Sequence, residues 1–344
     1  MVEMKRVKAR EGDFIESFDR LIFDVKGLVH PPGRVVAFVR YVPDPNGDRR
    51  RGKETYRKVY PLAERYELLK QKYPRYMVFD QVFGEYIGEA PVRSVKRHYD
   101  PSDKLRALRK SRDLDPVEAR ALEFIESLRE WSGIAWNKLG ISGSVLVGLH
   151  SSSSDIDVIV YGTENCLLAY ETLRKMFTVK QTQLRAYGPE DLKKLYETRR
   201  KDTVMPLDEF LRIERRKVFQ GKFRGRDFFI RCVKDWDEVK ERYGDTRYTA
   251  VGCVKIAARV IDDSDAIFTP CRYGIDGVQV LKGRKIGPLK EIVSFRGRFC
   301  GQAGPGERVE AQGKLEKVHL KDGAYYRLLL GGSPTDYMVT GWVL

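Results

Sequence analysis

The chain has 344 residues, about right for two or three domains, and 42% of them are hydrophobic, so a sizeable core is expected. Lys and Arg number 64 against 49 Asp and Glu, a formal charge of +15 that favours polyanionic partners such as nucleic acid or nucleotides. No apolar run approaches the roughly 20 residues that a membrane-spanning helix needs, and the five cysteines are scattered, odd in number and without a CxxC pair, which argues against a disulfide framework or a zinc site.

The charged start MVEMKRVKAREGD carries no secretory signal, so the expectation is a reduced, cytoplasmic protein without a membrane partner. Residues 1–105 read as a small α+β unit. LIFDVKGLV and GRVVAFVRYV have the pattern of strands and are split by the turn His30-Pro31-Pro32-Gly33. The loop that follows has a basic tip, Asp48 to Lys53, weighed toward a plain solvated loop with a phosphate-contacting finger as the alternative. Leu62, Tyr66, Leu69 and Tyr73 recur at helical spacing after Pro61. Residues 99–115 are polar and read as a linker.

A helix then starts at Asp115 as N-cap with Pro116 in the first position, and Val117, Ala121, Phe124, Ile125, Leu128 and Ala135 form its apolar stripe. It leads into GSVLVGLHSSSSDIDVIVYG, residues 143–162. Three helical patterns follow, ENCLLAYETLRKMF, PEDLKKLYETRRK and PLDEFLRIERRK, and then a hairpin, KVFQGKF and DFFIRCV, turning at Arg224-Gly225-Arg226. From about residue 246 short strands and regular turns, Asp322-Gly323 among them, suggest a small barrel or sandwich. Aromatic and basic residues interleave there, as in barrels that stack bases, although core packing explains half of them equally well. Asp262 to Asp265 reads as a turn.

In a strand, residues two apart face the same side. DIDVIV therefore projects Asp155 and Asp157 together from one face and Ile156, Val158 and Val160 into a core. Two ionised carboxylates so close repel each other unless a cation joins them. Hard oxygen ligands select Mg²⁺, which activates an attacking oxygen and stabilises a leaving one. Gly143 permits close approach of backbone to a ligand, the Ser144 hydroxyl is suited to phosphate oxygens, and Gly148 with Ser151 to Ser154 gives a flexible return to the acidic strand.

These residues, a Gly-Ser pair, an inner Gly148 and then DIDVIV after a capped helix, resemble the signature of the polymerase-β-type nucleotidyltransferase superfamily. The match spans roughly residues 115–235, and the whole chain is similar to archaeal proteins predicted to be nucleotidyltransferases. The resemblance implies a central polymerase-β-like α/β nucleotidyltransferase domain (106–245). With the N-terminal α+β domain (1–105) and the C-terminal small β-barrel (246–344) read from the strand and turn patterns, the expectation is an α+β multidomain protein. The resemblance further implies that Gly143 and Ser144 hold a triphosphate, that Asp155 and Asp157 bind the catalytic Mg²⁺, and that a nucleoside triphosphate such as ATP is the substrate. A third carboxylate is expected from a neighbouring strand, and Asp227 is the best placed, although a turn aspartate fits its position equally well. Val147 stands where the family often has Arg. From Lys193 to Arg226 there are twelve basic and five acidic residues, Arg215 and Arg216 among them, a cationic wall suited to a triphosphate or an RNA backbone. The preferred acceptor is an RNA 3′ end. Nucleotidylation of a protein or small molecule, and a non-catalytic RNA-binding protein that retains the fold, stay open as alternatives.

Overall fold

Short apolar runs punctuated by glycine and proline turns fold residues 7–99 into eight strands and one α-helix. The computed structural model describes residues 7–200, 205–284 and 287–341. In chain order the elements are β1 (Phe14–Ser17), β2 (Ile22–Val25), β3 (Arg34–Pro43), β4 (Arg49–Arg51), β5 (Glu54–Lys58), α1 (Leu62–Lys72), β6 (Met77–Asp80), β7 (Glu85–Pro91) and β8 (Val95–Tyr99). The sheet runs β4-β5-β3-β2-β1-β8, and β7 joins both β3 and β6. Ile15, Phe23, Val39 and Tyr76 fill its core. The alternation in β3 leaves Arg40 on the face opposite Val39 and Tyr41, as the strand period requires.

The segment expected to be a linker is instead a helix, α2 (Pro101–Lys110). Asp100 caps it by accepting from the backbone N–H groups of Ser102 and Asp103, at 2.7 and 3.1 Å, and Pro101 occupies the first position. Only Leu105 and Leu108 give it an apolar face, too few to stand out in so charged a stretch. The next helix, α3 (Pro116–Ser132), begins at Asp115 as expected and stops at Gly133 in the left-handed conformation, so Ala135 lies beyond it.

Then come β9 (Leu139–Ile141), the single turn α4 (Gly143–Leu146), β10 (Ile156–Tyr161), α5 (Thr163–Met176), β11 (Leu184–Arg185), α6 (Pro189–Arg199), α7 (Leu207–Glu214), β12 (Gln220–Phe223) and β13 (Arg226–Val233). The second sheet runs β11-β12-β13-β10-β9, with β10 parallel to β13 and antiparallel to β9. Its α3 side is closed by aromatic packing, Phe124 lying 4.6 Å from Phe228 and 5.2 Å from Phe223 between ring centroids. The last six strands are β14 (Arg247–Asp262), β15 (Cys271–Lys282), β16 (Leu289–Ser294), β17 (Arg308–Leu320), β18 (Gly323–Leu330) and β19 (Tyr337–Thr340). Their pairing goes β14-β15-β16-β18-β17 and returns to β14, a barrel-like ring around Ile256, Tyr273, Ile292, Val309 and Leu328.

The fold is thus α+β, with seven α-helices among the described residues, none of them long and apolar enough to cross a membrane. The chain groups into two compact units that cut it differently from three consecutive segments. One holds the residues up to Val78, Tyr86–Ala186 and Val218–Glu241; the other holds Phe79–Glu85, Tyr187–Lys217 and the residues from Arg242 onward. The first unit therefore contains both the N-terminal sheet and the DIDVIV strand. Residues 10–13 stitch these together. Glu11 accepts from Lys26 Nζ (3.0 Å) and the Gly27 N–H (2.8 Å) on one side and pairs with Arg231 of β13 on the other.

Candidate active site

The two carboxylates at the start of β10 do share a face. Asp157 lies opposite Phe229 in the parallel pairing, between the buried Ile156 and Val158, while Asp155 is exposed just before the strand. Ile156 pairs with Phe228, so the register continued one residue back sets Asp155 beside Asp227, on the same face of the sheet as Asp157, Phe229 and Arg231. The Asp227 carboxylate is half exposed and accepts from Lys222 Nζ at 2.8 Å across the β12–β13 hairpin. Burial pushes the Asp157 carboxyl up to about 7; the neighbouring Asp155 charge adds to this, and Arg231, Lys58 and Arg40 oppose it.

The Gly-Ser turn sits directly against this pair. The backbone N–H of Ser142 donates to the Asp157 carbonyl at 2.9 Å, and the Ser142 hydroxyl donates to the Gly12 carbonyl at 2.6 Å. Gly143 has φ +62, and its missing side chain leaves the room that the Asp157 carboxylate occupies. Ser144 is buried, and its hydroxyl oxygen has no hydrogen-bond partner. A buried hydroxyl without a protein partner is uncommon and leaves a donor for a water, an ion or a ligand atom.

The serine run is pinned rather than flexible. Ser154 Oγ accepts from the Ser151 N–H at 2.9 Å, and Arg226 donates to the Ser152 and Ser154 carbonyls at 2.9 and 2.6 Å. Arg49 donates to the hydroxyls of Ser151 and Ser154 at 3.0 and 3.3 Å, and Arg51 reaches the Val147 carbonyl at 3.5 Å. The basic tip read as a solvated loop is therefore strand β4, docked on the Gly-Ser return. Three more cations, Arg40, Lys58 and Arg231, act on Asp157 through their charge. Arg231 lies on the same strand and sheet face as Asp227, whereas Arg40 and Lys58 sit on distant strands and look like ordinary outward positions in the sequence.

A protein of Methanocaldococcus jannaschii described as uncharacterized protein MJ1086 is 31% identical over 338 residues, which cover 96% of this chain and 97% of the relative. The chain belongs to the MJ1086 family. No protein-family model and no solved structure matches it.

In this MJ1086-family chain Arg215 and Arg216 fall in the unit that does not contain the aspartates. Both are exposed at the end of α7, and Arg216 makes a two-pronged pair with Glu307 at 2.8 and 2.7 Å. Lys201 of the same basic stretch lies outside the described residues. A second group with metal-ligand character is Asp115, Glu118 and His150, whose ligand atoms lie within 4.8 Å of one another. Each is already engaged at the start of α3. Asp115 accepts from the N–H groups of Val117 and Glu118 at 2.8 and 3.0 Å and bonds His150 Nε2 at 2.6 Å, and Glu118 pairs with Lys104 at 2.7 Å. Against its partial burial, the cap N–H groups and His150 hold the Asp115 carboxyl below its usual range. This group ties the Gly-Ser return loop to the preceding helix.

Proposed function

We propose that this chain is a Mg²⁺-dependent nucleotidyltransferase of the polymerase-β type, moving a nucleoside monophosphate from a nucleoside triphosphate to an acceptor, preferably an RNA 3′ end. The observation that carries the reading is the juxtaposition of three groups. Asp155 and Asp157 share one face, Gly143 lies backbone-first against Asp157, and the Ser144 hydroxyl is buried without a partner. The residues fit a hard cation. Two adjacent carboxylates, one of them driven toward its neutral form by burial and by its neighbour, are the donor set that a divalent ion relieves. Mg²⁺ held there supplies activation of the attacking oxygen and stabilisation of the leaving one. Ser144 then donates to a phosphate oxygen, and the Arg49 and Arg226 contacts keep residues 151–154 from moving the acids. In this reading Asp227, now held by Lys222 at 2.8 Å, accepts the acceptor's proton once that lysine is displaced. The surplus of 64 basic over 49 acidic residues supports a nucleic-acid acceptor.

The test is incubation of the purified chain with MgCl₂, each α-labelled nucleoside triphosphate and a mixed pool of small RNAs, reading pyrophosphate release and label transfer. Asp155→Ala and Asp157→Ala are expected to lose the transfer by at least about a thousandfold. Transfer at wild-type rates in the double variant rules out the assigned site.

A further inference from the structure

We propose that Arg40 on β3 and Lys58 on β5 hold the triphosphate of the nucleotide at the Asp155–Asp157 site, so that the N-terminal sheet supplies the phosphate-binding wall. This rests on the nucleotidyltransferase reading above and names the residues that would grip its substrate. The two residues come from adjacent antiparallel strands, Lys58 pairing with Tyr41 next to Arg40. Both side chains gather at one ring. Arg40 Cζ lies 4.8 Å and Lys58 Nζ 5.9 Å from the centroid of Tyr60, which is 47% exposed. An aromatic face holds a cation in place while leaving its hydrogen-bond donors open to a ligand.

Neither Arg40 nor Lys58 has an ion-pair partner among the described residues. Other cations of this unit are matched to carboxylates: Lys26 to Glu11 and Asp24, Arg51 to Glu16, and Arg231 to Glu11. Arg40 and Lys58 are only partly exposed, and they repel each other. Two half-buried like charges without a partner are costly, and the cost is removed by an anion that spans both. Tyr41, which follows Arg40 and pairs with Lys58, shares a buried cluster with Leu146 and Val147 of the Gly-Ser turn, and Asp155 and Asp157 act on the Lys58 ammonium, which together place the pair at the acidic site. Apart from those two carboxylates, Asp24 acts on Arg40, and it is already paired with Lys26 at 2.9 Å. A polyphosphate chain, with several negative oxygens in a row, is the ligand chemistry that meets Arg40 and Lys58. Guanidinium gives a planar two-donor fork and ammonium a point charge, a pairing suited to successive phosphates.

Binding of ATP and of inorganic tripolyphosphate, each with MgCl₂, would be measured by calorimetry on wild type, Arg40→Gln, Lys58→Gln and the double variant. Thermal melts would confirm that each variant is folded. Each single change is expected to weaken both ligands about tenfold, and the double change more than about thirtyfold. Double-variant affinities within twofold of wild type would overturn the assignment. A loss confined to a short single-stranded RNA lacking a triphosphate, with tripolyphosphate binding intact, would overturn it too. Wild type that binds neither ATP nor tripolyphosphate defeats the nucleotidyltransferase reading itself.

Discussion

Replacing Gly143 by alanine separates two effects that the structure places at one residue. The first is backbone conformation. Gly143 has φ +62, and a left-handed alanine costs about 1–2 kcal/mol. The second is contact. A Cβ at this position would lie 2.7 Å from Asp157 Cγ and 2.9 Å from its Cβ, well inside the roughly 3.5–4.0 Å at which carbon atoms rest. The Asp157 side chain must therefore leave its rotamer, or α4 must lift, at a further cost of about 1–3 kcal/mol. Gly133 provides the control, with φ +73 and no heavy atom within 4 Å of a built Cβ. Gly133→Ala should lose only the conformational cost, lowering the melting midpoint by about 2–4 °C per kcal/mol and leaving pyrophosphate release unchanged. Gly143→Ala should melt lower still and lose Mg²⁺-dependent pyrophosphate release at least about a hundredfold, since catalytic groups displaced by an ångström cost that much. If the two variants match in both midpoint and rate, Asp157 is not seated on the Gly-Ser turn in the working protein and the site geometry is wrong.

Asp227→Asn should lower the turnover number about a hundredfold while leaving the KM for the nucleotide within about threefold, the pattern of a lost proton acceptor; equal turnover removes Asp227 from the mechanism. His30 is held neutral, with Nε2 donating to the Ala9 carbonyl at 2.9 Å and Nδ1 accepting from the Val36 N–H at 3.3 Å, and burial lowers it to about 4. The unfolded chain takes up a proton on this ring as pH falls below about 6.5 and the folded chain does not, so stability should fall from there toward pH 4. In His30→Gln, denaturant melts across that window should show a shallower fall, and equal slopes would refute the assignment. Arg226→Ala removes the donor to the Ser152 and Ser154 carbonyls. Amide exchange at residues 151–155 should then accelerate at least about tenfold relative to β10; unchanged exchange would show that Arg49 alone pins the loop.

What could be read from the chain itself was local. The Asp115 cap, the alternation in DIDVIV and the glycines at 143 and 225 each declare their conformation within a few residues, and the structure has them where they were expected. Helix α2 was missed because its start signal, Asp100-Pro101, precedes only two buried leucines, so the periodicity that identifies α3 is absent. The cationic surroundings of the carboxylates were missed for a different reason. Arg40, Arg49 and Lys58 precede Asp155 by roughly a hundred residues and are brought to it by sheet pairing and by the bridge at Glu11, which no spacing rule reaches. Arg215 and Arg216 are nearer to the acids in sequence but are grouped with the other unit.

The second compact unit is assembled from three stretches of chain, Phe79–Glu85, Tyr187–Lys217 and the residues from Arg242 onward. Met205, Phe210 and Ile213 find their buried partner in Val339, near the far end of the sequence. During synthesis α6 and α7 emerge well before the strand that covers them, so their apolar faces stay bare until β19 has been made. A gene cut at residue 246 would yield neither half intact. The upstream fragment would carry helices stripped of their cover, and the downstream one a ring missing its outer helices.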